Sequence, residues 1–247
     1  MNIGLFVPCF IDQLHPPAAI ATLRLLEHYG HSVAYPESQV CCGQPVINAG
    51  QSDIAEYAAR FETSFEQYDA IVCPSASCVA TIRHLYPQLT SRCAAVVEKT
   101  YELCEFLVDK LAVASVPGRC GDRIAVHQSC HGLRELRLGP ASELLGEHLP
   151  QPTDRLKQLL GMIPDVQLVT PARPDECCGF GGMFSVVEET VSCLSGNARL
   201  KACLDVKADI VTATDWSCLM HLQGLAQRQK LPLRFQHAAE ILAGDLS

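Results

Sequence analysis

The chain has 247 residues, of which 48% are hydrophobic and 19% are charged, and its formal net charge is −8. This composition is typical of a folded globular protein and excludes a disordered chain. The 19 lysines and arginines are mostly scattered along an acidic chain, so we expect no nucleic-acid binding.

The N-terminal segment lacks the basic start and apolar run of a secretory signal, and we interpret it as a first strand. No stretch of about 20 apolar residues is present to cross a bilayer. We therefore predict a cytoplasmic protein with no membrane span. In that reducing compartment its 14 cysteines are expected to be ligands or free thiols, not disulfides.

Short apolar runs alternate with helical patterns along the chain, which predicts an α/β protein with βαβ units and mainly parallel sheets. In the first part, strands are predicted at residues 3–7, 32–35 and 70–73, and helices at residues 18–29 and 53–65. The second part repeats this plan. The repeat predicts two domains, residues 1–116 and 117–247, with second-part strands at residues 123–127, 166–170 and 209–213.

One cysteine pattern occurs in both parts: a lone cysteine, a Cys-Cys-Gly triplet, and a further cysteine at a strand-to-helix turn. The first set is Cys9, Cys41, Cys42 and Cys78, and the second set is Cys130, Cys177, Cys178 and Cys218. Ligands bind beyond the carboxyl ends of parallel strands, so we expect both sets on the loops at those ends. The cysteines without a counterpart are interpreted as packing residues or free thiols, with Cys73 a candidate redox neighbour of Cys78: Cys73, Cys93, Cys104, Cys120, Cys193 and Cys203.

The pattern favours an iron-sulfur cluster in each half. Structural zinc sites use short Cys-x-x-Cys knuckles, and this chain contains none. Adjacent cysteines diverge and can reach different irons of one cluster, and four thiolates are what a 4Fe-4S cluster requires. His15, His127 and His131 lie near lone cysteines, where each could tune a cluster or move a proton, but we interpret them as surface or capping residues and leave them out of the ligand set.

Four motifs resemble the lactate-utilization protein A family, which is related to the cysteine-rich subunit of heterodisulfide reductase and to the iron-sulfur subunit of glycolate oxidase. They are CCGQP at 41–45, PSASC at 74–78, CCGFGG at 177–182 and HAAE at 237–240. The resemblance implies an iron-sulfur oxidoreductase subunit, acting by electron transfer in a complex that oxidises L-lactate, a small 2-hydroxy acid, to pyruvate. It also implies two partner proteins, one of them ferredoxin-like, and metal ligation by the eight cysteines of the two sets.

One departure from the relatives stands out. In heterodisulfide reductase each half ends in Cys-x-x-Cys and five thiolates hold a noncubane cluster, whereas the first of those two positions is Ser75 or Asp215 in this chain. Three alternatives stay open: four-thiolate clusters, which we favour, a centre that uses an oxygen of Ser75 or Asp215, or a half without a cluster. The alternative functions are a glycolate-oxidase-like or heterodisulfide-reductase-like subunit, and a metal-dependent scaffold without redox activity.

Overall fold

The computed structural model describes residues 1–51, 53–90, 93–144 and 152–246. Within these ranges the strands form two separate four-stranded sheets. The strands are β1 (Asn2–Leu5), β2 (Ser32–Ala34), β3 (Ala70–Cys73), β4 (Thr100–Glu102), β5 (Arg123–Val126), β6 (Gln167–Val169), β7 (Ile210–Ala213) and β8 (Arg234–His237).

Helices follow most of the strands, and short π-helical turns occupy Phe106–Lys110 and His131–Glu135. The α-helices are α1 (Cys9–Leu14), α2 (Pro16–His28), α3 (Gln44–Asn48), α4 (Ala55–Phe65), α5 (Ala76–Leu89), α6 (Ala94–Glu98), α7 (Leu103–Glu105), α8 (Arg155–Leu160), α9 (Phe184–Val187), α10 (Glu189–Asp205), α11 (Trp216–Arg228) and α12 (Ala238–Ala243). None of the helices in the described ranges is long and apolar enough to cross a bilayer.

The two sheets have the same topology. Their strand orders are β2-β1-β3-β4 and β6-β5-β7-β8, and every neighbouring pair is parallel. The central strands β3 and β7 are buried along their whole length, as expected for parallel strands covered on both faces. The prediction of an α/β protein built from two similar halves is confirmed.

Helices of the two halves pack against each other where the halves meet. Helix α12 of the second half packs against α2 of the first, and α7 of the first half packs against α8 of the second. One continuous hydrophobic core therefore includes residues of both halves, among them Leu25, Leu107, Leu159 and Leu242. Each sheet lies within one of the predicted domains, whose boundaries stay a prediction.

The predicted strands and helices are found within a few residues of their predicted limits. Cys9 is the first residue of α1, and Cys78 and Cys218 lie at the strand-to-helix turns predicted for them, in the first turns of α5 and α11. Pro8 shows the reason at the first of these positions, because its φ of −60° suits the entry to a helix. The first-turn placement leaves these thiols at the carboxyl ends of the strands.

Candidate metal centre

The first cysteine set is assembled at the carboxyl ends of β1 and β3. Cys41 and Cys42 are adjacent in sequence but pair with different partners. The Sγ atoms of Cys9 and Cys41 are 3.5 Å apart, and the thiol of Cys42 donates to the Sγ of Cys78 over 3.3 Å. The side chains of the two adjacent cysteines therefore point toward different partners, as expected. Together the four sulfur atoms come from three segments of the chain.

The glycine after each cysteine pair adopts a left-handed conformation that turns its N–H toward sulfur. Gly43 has a φ of +83° and donates to the Sγ of Cys41 over 3.4 Å. Gly179 has a φ of +89° and donates to the Sγ of Cys177 over 3.3 Å, while the N–H of Phe180 donates to Cys178 over 3.5 Å. These backbone donors stabilise negative charge on the thiolates.

The four thiols of the first set alternate between raised and lowered pKa values. Hydrogen bonds from Cys42 and Cys9 lower the pKa of Cys41 to about 3. Hydrogen bonds, with that from Cys42 the largest cause, lower the pKa of Cys78 to about 5. The pKa values of the donors Cys9 and Cys42 are raised, mainly because each thiol donates to Cys41. Two thiolates therefore accept hydrogen bonds from two protonated thiols.

The second set repeats this alternation. Hydrogen bonds from Cys130 and Cys178 lower the pKa of Cys177 to about 2, and a hydrogen bond from Cys178 lowers that of Cys218 to about 6. The pKa values of the donors Cys130 and Cys178 are raised, mainly by their bonds to Cys177. Thiols lose their protons when they bind a metal, so each set would release the retained protons on loading.

Both sets face one cavity of about 450 Å³ between the halves. Seven of the eight predicted cysteines line it, and Cys41 lies behind Cys9. The wall also includes His131, Trp216 and Asp215, but no lysine or arginine among the described residues. The structure thus brings together two sets that are about 120 to 140 positions apart in sequence.

Ser75 and Asp215, the positions that differ from the five-thiolate relative, are both buried beside this cavity. The Ser75 hydroxyl donates to Asp215 Oδ1 over 2.7 Å, and the hydroxyl and N–H of Ser77 donate to the same oxygen over 2.7 and 3.1 Å. The N–H of Cys78 in turn donates to Ser75 Oγ. Ser75 Oγ and Asp215 Oδ1 are therefore committed to each other and to the start of α5, whereas Asp215 Oδ2 is buried without a hydrogen-bond partner among the described residues.

The three histidines near the lone cysteines have different surroundings. His15 contacts Glu240 Oε2 at 2.7 Å and stacks on Trp216, and His131 lies 3.1 Å from the side chain of Gln44. The interpretation of His127 as a surface or capping residue is wrong. Its side chain is 1% exposed, and neither ring nitrogen has a hydrogen-bond partner among the described residues.

The remaining cysteines include several packed in the core. The thiol of Cys73 donates to the carbonyl of Ser75 over 3.7 Å, and its pKa is raised, chiefly by burial. Burial likewise raises the pKa values of Cys104 and Cys203. None of these three thiols belongs to either set of four, and Cys73 is a neighbour of the first set, because its side chain also lies within hydrogen-bonding reach of Cys78.

The donor set fits a thiolate-bound metal cofactor. None of the 14 cysteines, all of which lie in the described ranges, forms a disulfide, and the two predicted sets present four convergent sulfurs each, with backbone N–H groups aimed at several of them. Soft sulfur ligands of this kind suit iron-sulfur clusters and zinc. Fold and site together define a duplicated, cysteine-rich metal-binding protein.

Comparison with known proteins agrees with this class. The CCG cysteine-rich domain family matches residues 3–83 and 124–223. A lactate utilization protein A from an Exiguobacterium species is 36% identical over 98% of this chain and 96% of its own length. That from Bacillus pumilus is 34% identical over 98% and 99%. The chain therefore belongs to the lactate utilization protein A family of CCG-domain proteins.

Solved structures add little. A glutamate racemase from Bacillus anthracis aligns over 98% of this chain and 78% of its own, with 11% identity and a TM-score of 0.37. A likeness of this degree has no bearing on the function of the site.

Proposed function

We propose that this chain is the iron-sulfur redox subunit of a cytoplasmic complex that oxidises L-lactate to pyruvate. Each half would hold one cluster of the 4Fe-4S type, on Cys9, Cys41, Cys42 and Cys78 in the first half and on Cys130, Cys177, Cys178 and Cys218 in the second. Bound there, iron-sulfur clusters supply one-electron transfer. Membership of the family and the chemistry of the eight thiols support this assignment.

The observation that carries the proposal is the equivalence of the two sets around one cavity. Both sets have the same order of raised and lowered thiol pKa values and the same left-handed glycine after the cysteine pair. Oxidation of a 2-hydroxy acid to a 2-oxo acid releases two electrons and two protons. Two one-electron centres side by side match that number of electrons.

The cavity favours relay of electrons over binding of lactate. A 2-hydroxy acid carries a carboxylate, and recognition of a carboxylate normally uses arginine or lysine. No such residue is found among the described residues of the wall, which instead contains thiolates and Asp215. We infer that lactate binds on a partner protein and that this chain receives or passes on its electrons.

An exposed apolar surface beside the second set supports docking of a partner protein. Val186 is 72% exposed, Val187 is 68% exposed and Leu194 is 64% exposed, while Met183 lines both this surface and the cavity. Several exposed apolar side chains on two helices in contact, here α9 and α10, typically mark an interface. We assign it to the ferredoxin-like partner, because it brings that protein next to the thiols.

Iron and acid-labile sulfide analysis with EPR, on protein prepared without oxygen, tests the proposal. We expect iron and sulfide for two clusters in the wild type and about half of that amount in either Cys42→Ala or Cys178→Ala. Cys193→Ala is the matched control, because this partly buried cysteine belongs to neither set, and it should keep the full amount. Zinc in place of iron, or unchanged iron in both variants, would overturn the assignment.

A test of the pathway itself uses cells. Deletion of the gene from an organism without another lactate dehydrogenase should abolish growth on L-lactate, and the wild-type gene should restore it. The Cys42→Ala gene should not restore growth. Normal growth of the deletion strain on L-lactate, with a defect on glycolate instead, would replace lactate by glycolate in the proposal.

A further inference from the structure

A buried histidine lies against the second cysteine set and has no hydrogen-bond partner among the described residues. His127 follows β5 directly, and its side chain is 1% exposed. Neither Nδ1 nor Nε2 makes a hydrogen bond of normal geometry within the part of the chain that the structure describes, but the ring is close enough to Cys218 to be, after Cys178, the next group that lowers the pKa of that thiol. Leaving a buried polar group unpaired costs about 1–3 kcal/mol, so an imidazole in this position needs a compensating interaction.

The thiols of the second set lie within reach of that imidazole. One ring nitrogen of His127 and the Sγ atoms of Cys178 and Cys218 all lie within 4.8 Å of one another. The three side chains come from three different segments, the end of β5, the Cys-Cys-Gly loop and the first turn of α11. Imidazole nitrogen and thiolate sulfur are compatible ligands for iron and zinc.

The first half has no equivalent donor at the matching position. The N–H of His127 donates to the carbonyl of Thr212, and the N–H of Phe6 donates to the carbonyl of Val72 in the same way, so residues 6 and 127 occupy matching positions. The Phe6 ring packs edge-on against Phe61 and offers no ligand atom. The two halves therefore differ in chemistry beside otherwise equivalent cysteines.

We propose that His127 is a nitrogen ligand of the metal centre in the second half, in addition to its four thiolates, so that one iron of a 4Fe-4S type cluster there takes two ligands from the chain. This inference rests on the proposed function, since it needs a centre bound to the second set. The first centre then has only sulfur donors from the chain, and the second has sulfur and nitrogen. Ligand type is one of the factors that set the reduction potential of an iron-sulfur centre. The two centres should therefore differ in potential, which gives electron flow between them a direction.

Pulsed EPR of protein labelled with ¹⁵N only in histidine tests this directly. Reduced wild-type protein should show strong hyperfine coupling of the cluster to one ¹⁵N nucleus. His127→Phe, which copies the first half, should lose this coupling completely. His131→Gln is the matched control, because His131 follows Cys130 directly but already has Gln44 and Glu135 as partners, and it should retain the coupling.

The outcomes separate this inference from the proposed function. If the wild-type protein contains iron and sulfide but shows no strong coupling to ¹⁵N-histidine, only the role of His127 is overturned. This comparison uses the wild type alone. Wild-type protein without iron and sulfide would overturn the proposed function and this inference together. If His127→Phe fails to fold, His127→Gln provides the comparison. Coupling that persists in that variant would also overturn the role of His127.

Discussion

The carboxylate of Asp215 in the second half accepts a hydrogen bond from the hydroxyl of Ser75 in the first half, over 2.7 Å. Asp215 is the N-cap residue of α11, yet its side chain makes no bond to that helix. It accepts instead from the N–H of Ser77, in the first turn of α5. The positions that separate this chain from the five-thiolate relative thus form a polar link between the halves.

Removing this link should destabilise the protein without removing iron. Hydrogen bonds to a charged group contribute about 1.5–3 kcal/mol each, so we expect Asp215→Ala to lower the free energy of unfolding by about 3 kcal/mol. Urea denaturation measures this. Asp205→Ala removes an aspartate that is 61% exposed and should cost less than about 1 kcal/mol. Ser75→Ala should retain full iron content, and a loss comparable to that of Cys42→Ala would make Ser75 Oγ a ligand.

Replacement of Gly179 by alanine should disrupt the second Cys-Cys-Gly loop. Its φ of +89° disfavours any Cβ, and a Cβ there would collide with the carbonyl of Ser192 and lie 2.9 Å from Ser195 Cβ. We expect a loss of about 2–4 kcal/mol in thermal or urea unfolding, and less iron bound. Gly30→Ala is the control, because Gly30 has a φ of +79° but open space around it. Equal losses in both variants would show that the collision has no effect.

Glu102 should make the stability of the protein depend on pH. It is 1% exposed, and burial raises its pKa to about 8 from the usual 4.5. Between these values the folded state keeps a proton that the unfolded state loses. The contribution of Glu102 to stability is therefore full below pH 4.5 and is lost as pH rises through about 8. We expect the melting temperature of the wild type to fall across this range relative to that of Glu102→Gln.

The matched control for Glu102 is Glu98→Gln, at an exposed glutamate at the end of α6. Its melting temperature should follow that of the wild type at every pH. Glutamine at position 102 can still accept the N–H bonds from Cys104 and Glu105 that cap α7. Identical pH profiles for the wild type and Glu102→Gln would contradict the raised pKa.

The exposed apolar surface beside the second set should govern association with the ferredoxin-like partner. We expect Val187→Asp combined with Leu194→Glu to weaken binding at least about tenfold, because charges there must be desolvated in an interface. Calorimetric titration with the purified partner measures the effect. Ile20→Glu alters an apolar residue on α2 that is 45% exposed and should leave affinity unchanged. Undiminished binding of the double variant would place the partner elsewhere.

The repeat predicted most of the fold and the convergence of the thiols. Continuous apolar runs such as residues 70–73 form strands that are buried on both faces. The cysteines of each set follow neighbouring parallel strands of one sheet, so they meet at the carboxyl ends of those strands. The link between Ser75 and Asp215 was not predictable, because residues 140 positions apart share no local pattern. Burial of His127 was missed for a related reason. A histidine after a strand has the same local sequence context whether the following loop covers it or leaves it in water.

The helix contacts between the two halves follow an approximate twofold symmetry. Packing of α2 against α12 and of α7 against α8 is reciprocal, as in an isologous dimer with a twofold axis. Residues 75 and 215 hold matching positions three before Cys78 and Cys218, so their contact lies on that pseudo-axis. In a symmetric dimer of two identical chains, the residue at this position would meet its own copy. A single chain with two different halves is free of that restriction, so one side can be a hydroxyl donor and the other a carboxylate acceptor.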